Sequence, residues 1–410
     1  MVTTLRERKG PVLAGWLRES GQSAIQEMLA VANRPDVLSL ALGLPAAELF
    51  PVREYARAAQ HVLETDPLAL QYSLPPQSLK THVVELMARR GVACREEQVF
   101  LTAGAQQGVS LLARLLLDHG GRVLCEEVVY TGMRQAVEPY SPAFVTVPTD
   151  AWTGVDVEAV ERELRRARPA FIYLIPDGHN PLCVSLSEAK RARLAELARV
   201  YGVPIVEDDP YGFISYEPGP ALPLRAYDDE WVFYVGTFSK ILAPSLRVGW
   251  LVVPPSLIAP LSIIKEASDI NTSTFNQRAV AAYLDAGHLA GHSERLRDAY
   301  RERRDAMLDA LREHFPEGSL WRKPSHGLFV WVELPEPVDM GALLRDAVTT
   351  ERVAFVPGQA FALRPGAGAS SGMRLNFSKN DPAQLAEGVR RLGRAVSRAL
   401  AARPRAALCS

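Results

Sequence analysis

The chain has 410 residues, 48% of them hydrophobic, enough for a large core, and a formal net charge of -1. That near-neutral balance argues against a nucleic-acid or membrane-surface partner, because both draw on a basic excess. Four scattered cysteines (Cys94, Cys125, Cys183, Cys409) form no CxxC pair, no His cluster has metal spacing, and no apolar run nears the roughly 18 residues of a membrane span. The first residues carry charge with no apolar stretch behind them, so a cytoplasmic protein without a metal is expected.

In chain order, residues 20–33 read as a helix with Ile25, Met28 and Leu29 on one face, followed by a Gly- and Pro-rich loop up to Pro51. The middle of the chain alternates strand and helix. Apolar or β-branched runs at 99–102, 123–125, 144–147, 171–175, 203–206, 232–235 and 248–253 read as strands. The clearest intervening helix is 187–201, with Ser187 as N-cap and Leu194, Leu197 and Val200 at helical spacing. Continuous apolar strands separated by helices predict a largely parallel sheet covered on both faces. From about His288 a charged helix over 292–315 precedes HGLFVWVEL, ERVAFVPG and MRLNFS, and a last helix starts near Asp381. The expected organisation is therefore α/β. A large domain spans 51–287, a smaller α+β domain spans 288–410, and an N-terminal segment 1–50 packs on the small domain.

Chemistry gathers at the strand ends, where open parallel sheets bind ligands. The strand at 99–102 runs into TAGAQQG and a helix N-terminus, an arrangement suited to a phosphate. The strand at 171–175 leads to Asn180-Pro181, and that at 203–206 ends in Glu207, Asp208, Asp209, Pro210 and Tyr211. The strand at 232–235 runs into Thr237, Ser239 and Lys240, with Arg247 following. Taken singly these are ordinary: Asn-Pro is commonly a turn, a strand-end lysine is commonly solvated, and an acidic run also suits magnesium or phospho-acceptor chemistry. Taken together they match pyridoxal phosphate, which carries a phosphate dianion, a ring nitrogen, a phenolic oxygen and an aldehyde. Such a site needs a lysine whose ordinary pKa of about 10.4 is lowered by burial and nearby cations.

At these residues the chain resembles the class I/II aminotransferases of the fold-type I pyridoxal phosphate enzymes, over nearly its whole length. The segment GTFSKILAPSLRVGW (236–250) is the most specific match. The resemblance implies that Lys240 carries the cofactor as an imine and shuttles the catalytic proton. Thr237, Ser239, Arg247 and the loop Gly104, Ala105 and Gln106 would hold the phosphate. Asp208 would face the ring nitrogen, Tyr211 and Asn180 the phenolic oxygen, and Tyr130 would stack on the ring. Arg374, in MRLNFS, would grip the substrate carboxylate, with Gly43 and Asn180 also facing substrate. Tyr72 would reach the phosphate of a neighbouring subunit, implying a homodimer with shared active sites. The substrates implied are an amino acid and a 2-oxo acid.

The stretches LSLALGLPAAELFP and SAIQEML resemble the branch that holds 2-aminoadipate and kynurenine aminotransferases and the effector domains of MocR-like regulators. With Lys240, Asp208 and Arg374 all present, an inert sensor is not expected. Four positions depart from the family pattern: Leu182-Cys183 follows Asn180-Pro181 in place of Thr-Gly, Ser73-Leu74 follows Tyr72, Leu42 replaces a glycine, and Gln26 replaces an arginine used for acidic side chains. All lie where substrate or loop closure is decided. They keep open an elimination, decarboxylation or cyclisation reaction on the same scaffold. Cys183 as a reactive thiol lacks a histidine placed by sequence.

Overall fold

The structure is a computed structural model that describes residues 14–19, 34–217, 219, 221–364 and 372–402. The helix expected over 20–33, Gln26 within it, and Cys409 lie outside the described residues.

Seven strands form the main sheet: β1 (Val99–Thr102), β2 (Arg122–Glu126), β3 (Ala143–Val147), β4 (Phe171–Leu174), β5 (Ile205–Asp208), β6 (Val232–Thr237) and β7 (Gly249–Val252). Their order is β1-β7-β6-β5-β4-β2-β3, parallel throughout except that β7 runs antiparallel to both its neighbours. The continuous apolar runs follow from burial on both faces, because successive residues enter different cores. Val123, Phe171, Tyr173, Val206 and Phe233 join the core beneath helix α1 (Ala105–Leu116). Leu124, Ile172, Leu174, Ile205 and Val232 join the opposite one, with helices α2 (Val157–Arg166) and α3 (Glu188–Tyr201). Ser187 caps α3 by accepting from the Lys190 N–H, and Gly202 ends it in the left-handed region at φ 61°.

Two strands extend further toward their carboxyl ends than hydrophobicity predicts. β5 starts at Ile205 because Pro204 has no N–H for the ladder, and it runs on through Glu207 and Asp208, the latter paired with Val235. β6 likewise continues to Thr237, opposite Gly249. Polar residues thus occupy the last rungs of buried strands.

A second, four-stranded antiparallel sheet comprises β8 (Leu320–Trp321), β9 (Phe329–Glu333), β10 (Val356–Pro357) and β11 (Gly372–Asn376), in the order β8-β9-β11-β10. Helices α4 (His288–His314) and α5 (Pro382–Ala401) pack together beside it, α5 opening on an Asp381–Gln384 capping box. Leu38–Ser39 pairs in parallel with Val353–Ala354, and the Asn376 N–H donates to Leu40 O at 2.7 Å. That pairing delivers residues 41–44 to the cleft between the two sheets. None of the described helices is long and apolar enough to cross a membrane.

Candidate active site

The carboxyl ends of β1, β5 and β6 and the inner side of the small sheet enclose a cavity of about 360 Å³. Gly43, Ala105, Gln106, Tyr130, Asn180, Asp208, Tyr211, Thr237, Ser239, Lys240, Arg247 and Arg374 all line it. Gly104 lies just behind this wall and Tyr72 lies outside it.

One end of the cavity is built for an anion. Gly104 has φ 81°, which favours glycine, and a Cβ there would fall 2.5 Å from Arg247 Nη2 and displace the guanidinium. Arg247 donates from Nη2 to Ala103 O at 2.8 Å and from Nη1 to Pro244 O at 3.1 Å. The Thr237 and Ser239 hydroxyls lie 2.9 Å apart beside it. The N-terminus of α1 opens at Ala105, and Gln106 Nε2 donates to Gly132 O at 2.7 Å. Backbone N–H groups, a helix dipole and a guanidinium converge there.

Strand alternation sorts the acidic run. Glu207 accepts the Leu224 and Arg225 N–H groups at 2.7 and 2.8 Å. Asp209 pairs with Arg90 at 3.1 Å and accepts from Gly212 N–H and the Tyr234 hydroxyl. Asp208 faces the cavity between them. The Tyr173 hydroxyl donates to its Oδ2 at 2.6 Å, while Oδ1 is buried without a partner. Burial pushes this carboxyl up to about 7, against the Tyr173 hydrogen bond and with the help of the Asp209 charge. The three carboxylates of the run thus turn to three different sets of partners.

Lys240 Nζ donates to Gly43 O at 2.9 Å. Burial, then the charges of Arg374 and Arg247, lower its pKa to about 8. Arg374 donates from Nη1 to Asn180 Oδ1 at 2.7 Å and from Nη2 to Ala41 O at 2.9 Å, leaving buried Nε unpartnered. Its guanidinium lies between the rings of Phe329 and Phe361, 4.0 and 4.9 Å from their centroids. Phe329 also meets Tyr211 edge-on at 5.9 Å and leaves no room for a Cβ on Gly43.

The Asn180-Pro181 peptide bond is cis, and Cys183, three residues on, has φ 61°, a conformation that favours glycine. The Cys183 thiol donates to Pro181 O, and burial pushes its pKa well up. His179 is engaged elsewhere, with Nε2 3.0 Å from Glu126 and Nδ1 accepting the Leu182 N–H. His179 therefore gives this thiol no base.

Tyr72 is 82% exposed, flanked by Leu70, Leu74 and Ile270, which are exposed as well. The Asn271 side chain donates to Ser73 O at 2.7 Å and joins the two segments into one apolar surface.

Sequence reasoning missed Tyr173, Phe329 and Phe361. Tyr173 was legible in part, because period-two alternation in 171–175 puts it on one face with Ile175, which lines the cavity. The two phenylalanines carried no such signal.

The description "Aminotransferase class I and II" fits residues 35–392. The chain is 38% identical to aromatic-amino-acid aminotransferase 1 of Thermococcus litoralis, over 91% of each chain. It is 39% identical to 2-aminoadipate transaminase of Thermus thermophilus, over 92% of this chain and 95% of that protein. The solved multiple substrate aminotransferase of Thermococcus profundus superposes with a TM-score of 0.88 at 36% identity, covering 95% of this chain and 98% of that one. A Thermus thermophilus alpha-aminoadipate aminotransferase, solved with N-(5'-phosphopyridoxyl)-L-leucine, superposes with a TM-score of 0.84 at 37% identity, covering 95% of this chain and all of that one. The chain belongs to the class I and II aminotransferases. It is an α/β enzyme of fold type I that depends on pyridoxal 5′-phosphate.

Proposed function

We propose that this enzyme transfers the amino group of an amino acid to a 2-oxo acid through Lys240, with Asp208, Arg247 and Arg374 in the roles their surroundings suit. The observation that carries the reading is convergence: a lysine with lowered pKa, a carboxylate with one open oxygen, an anion cradle and a buried arginine line one cavity. The donor set fits the cofactor. The open Asp208 Oδ1 needs a donor, and a protonated ring nitrogen would supply one while holding the carboxyl ionised against its burial. Arg247, Thr237, Ser239 and the N–H groups opening α1 suit the phosphate. Tyr130 and Pro210, which line the cavity, would flank the ring, and Tyr211 and Asn180 suit its phenolic oxygen.

When bound, pyridoxal phosphate supplies an electron sink for charge at the substrate Cα. Lys240 Nζ, a buried amine lining the cavity, would take up the substrate Cα proton and give it back as general acid, a role typically contributing about 10²–10⁴-fold. Arg374 offers two parallel donors to the α-carboxylate and so fixes the direction of the Cα–H bond. The Phe329 and Phe361 rings hold the guanidinium and shield it from water.

The apolar surface around Tyr72 supports a homodimer in which Tyr72 reaches the partner's phosphate site. Sedimentation of the holoenzyme tests the dimer, and Tyr72→Phe is expected to weaken cofactor retention without changing the oligomer. The scattered cysteines support a cytoplasmic setting.

Lys240→Ala tests the central assignment. The variant is expected to lose the visible absorbance of the lysine-bound cofactor and all 2-oxo acid formation. A retained absorbance band would sink the assignment.

A further inference from the structure

Arg247 stands on a strained backbone. Its φ of 53° and ψ of 48° lie in the left-handed region, where a residue with a Cβ persists only if its surroundings fix it. Two side chains that do not line the cavity, Gln107 and Asn276, reach Arg247 by separate routes.

The first route ends on the carbonyl that receives the guanidinium. Gln107, in the first turn of α1, accepts the Ala103 N–H at Oε1 (2.7 Å) and donates from Nε2 to Asp269 Oδ2 at 2.8 Å. A backbone N–H on one side and a carboxylate on the other fix which end of the amide is which. Asp269 is held in turn by Lys265, one helical turn back, and by the Thr272 hydroxyl at 3.1 Å. Ala103 is thereby gripped both at its N–H and at its carbonyl, which accepts from Arg247 Nη2 at 2.8 Å. A charge-assisted chain of contacts runs from Lys265 through Asp269, Gln107 and Ala103 to the guanidinium.

The second route ends on the backbone. Ser273 caps the helix Thr274–Asp285 by accepting the Asn276 N–H, which sets Asn276 in its first turn. Asn276 Nδ2 donates to Leu246 O at 3.0 Å, the carbonyl of the peptide bond that enters Arg247. Between Asp269 and Asn276 lies Ile270, at φ 60° and ψ -65°, with the Asn271 N–H donating to Asp269 O at 2.6 Å. This is a γ-turn, a costly conformation for a β-branched residue. It ends the helix Ile258–Asp269 abruptly, so that one short segment supplies both anchors.

We propose that Gln107 and Asn276 are positioning residues for the cofactor phosphate, acting through Arg247, with residues 269–276 as their common base. This rests on the reading that Arg247 meets the phosphate, and the test separates the two.

The full chain, stripped of cofactor, is titrated with pyridoxal 5′-phosphate and with pyridoxal, which lacks the phosphate, following the absorbance of the lysine-bound form. Gln107→Met and Asn276→Ala, both at half-buried positions, are each expected to weaken pyridoxal 5′-phosphate about tenfold and pyridoxal by less than about twofold. Equal losses for the two ligands would make these residues general props of the fold and overturn the proposal, as would unchanged affinity for pyridoxal 5′-phosphate. In an Arg247→Ala background the further loss from Gln107→Met is expected to shrink to about twofold, and a full tenfold loss there overturns the route through Arg247. Arg247→Ala alone tests the reading beneath. Equal losses for both ligands would refute its phosphate role and the proposal with it. A phosphate-selective loss there, absent from the other two variants, overturns the proposal alone.

Discussion

The floor of the cavity and its outer wall are built on different principles. The floor uses residues 208, 237, 239, 240 and 247, close along the chain, each set by its own strand end and the loop after it. The wall uses residues 42, 44, 329, 356, 361 and 374, brought together by strand pairing and ring contacts across the small sheet. Local hydrogen bonds define the floor, and apolar packing around one guanidinium defines the wall. On the proposed reading, a floor of this kind tolerates little change because each donor would meet one atom of one cofactor. The wall admits change wherever volume is kept, which is where substrate choice evolves most freely.

The largest effect expected from the wall is at its one charged member. On the proposed reading, Arg374→Ala removes a buried donor pair for the substrate carboxylate and should cost about 2–5 kcal/mol, roughly 30- to 5,000-fold in kcat/KM. Cofactor affinity should change far less. Equal losses of amino acid and cofactor, measured by titration, would merge wall and floor into one unit.

On the floor, Lys240 sets a pH dependence. Only the neutral amine attacks the cofactor aldehyde, and with a pKa of about 8 its fraction rises with pH and levels off above that value. The rate of reconstitution from cofactor-free protein should therefore plateau above about pH 8. Continued increase toward the ordinary lysine value of about 10.4 would show that burial and the two arginines do not lower this amine.

Tyr173→Phe should give a smaller change. Its hydroxyl stabilises the ionised form of Asp208, so its loss raises the carboxyl pKa and moves the acid limb of the rate profile to higher pH. The energetic cost is about 1.5–3 kcal/mol, the usual worth of a hydrogen bond to a charged group. An unmoved limb would mean that the ring nitrogen alone sets the state of Asp208.

The smallest effect is expected at Cys183. Desolvation pushes its thiol pKa up, His179 is engaged elsewhere, and the thiolate is the reactive species, so Cys183→Ala should leave kcat within about twofold. A large loss would bring the thiol into the chemistry and make the loop after Pro181 part of the floor.

How far each region could be read follows from how it is built. The sheet was legible because both faces are buried, so strands stand out as unbroken apolar runs. The place of Lys240, Asp208 and Arg247 at the cavity was legible because Asp208 closes β5 and the loop after β6 carries the other two. The ends of β5 and β6 were not, since hydrophobicity stops where polar residues begin while ladder pairing carries the strands on to Asp208 and Thr237. Cys183 read as a lost glycine, and the structure places it at the left-handed φ that favours one.

By itself, then, the sequence determined the alternation of strand and helix, the chemistry at the strand ends and the kinship with aminotransferases, because these rest on local periodicity and closely spaced residues. Only the tertiary structure decided which oxygen of Asp208 is open, which rings clasp Arg374, and that the wall beside it is apolar. Those features depend on contacts such as Arg374 with Ala41, 333 positions apart, and on a strand register that local periodicity leaves undetermined.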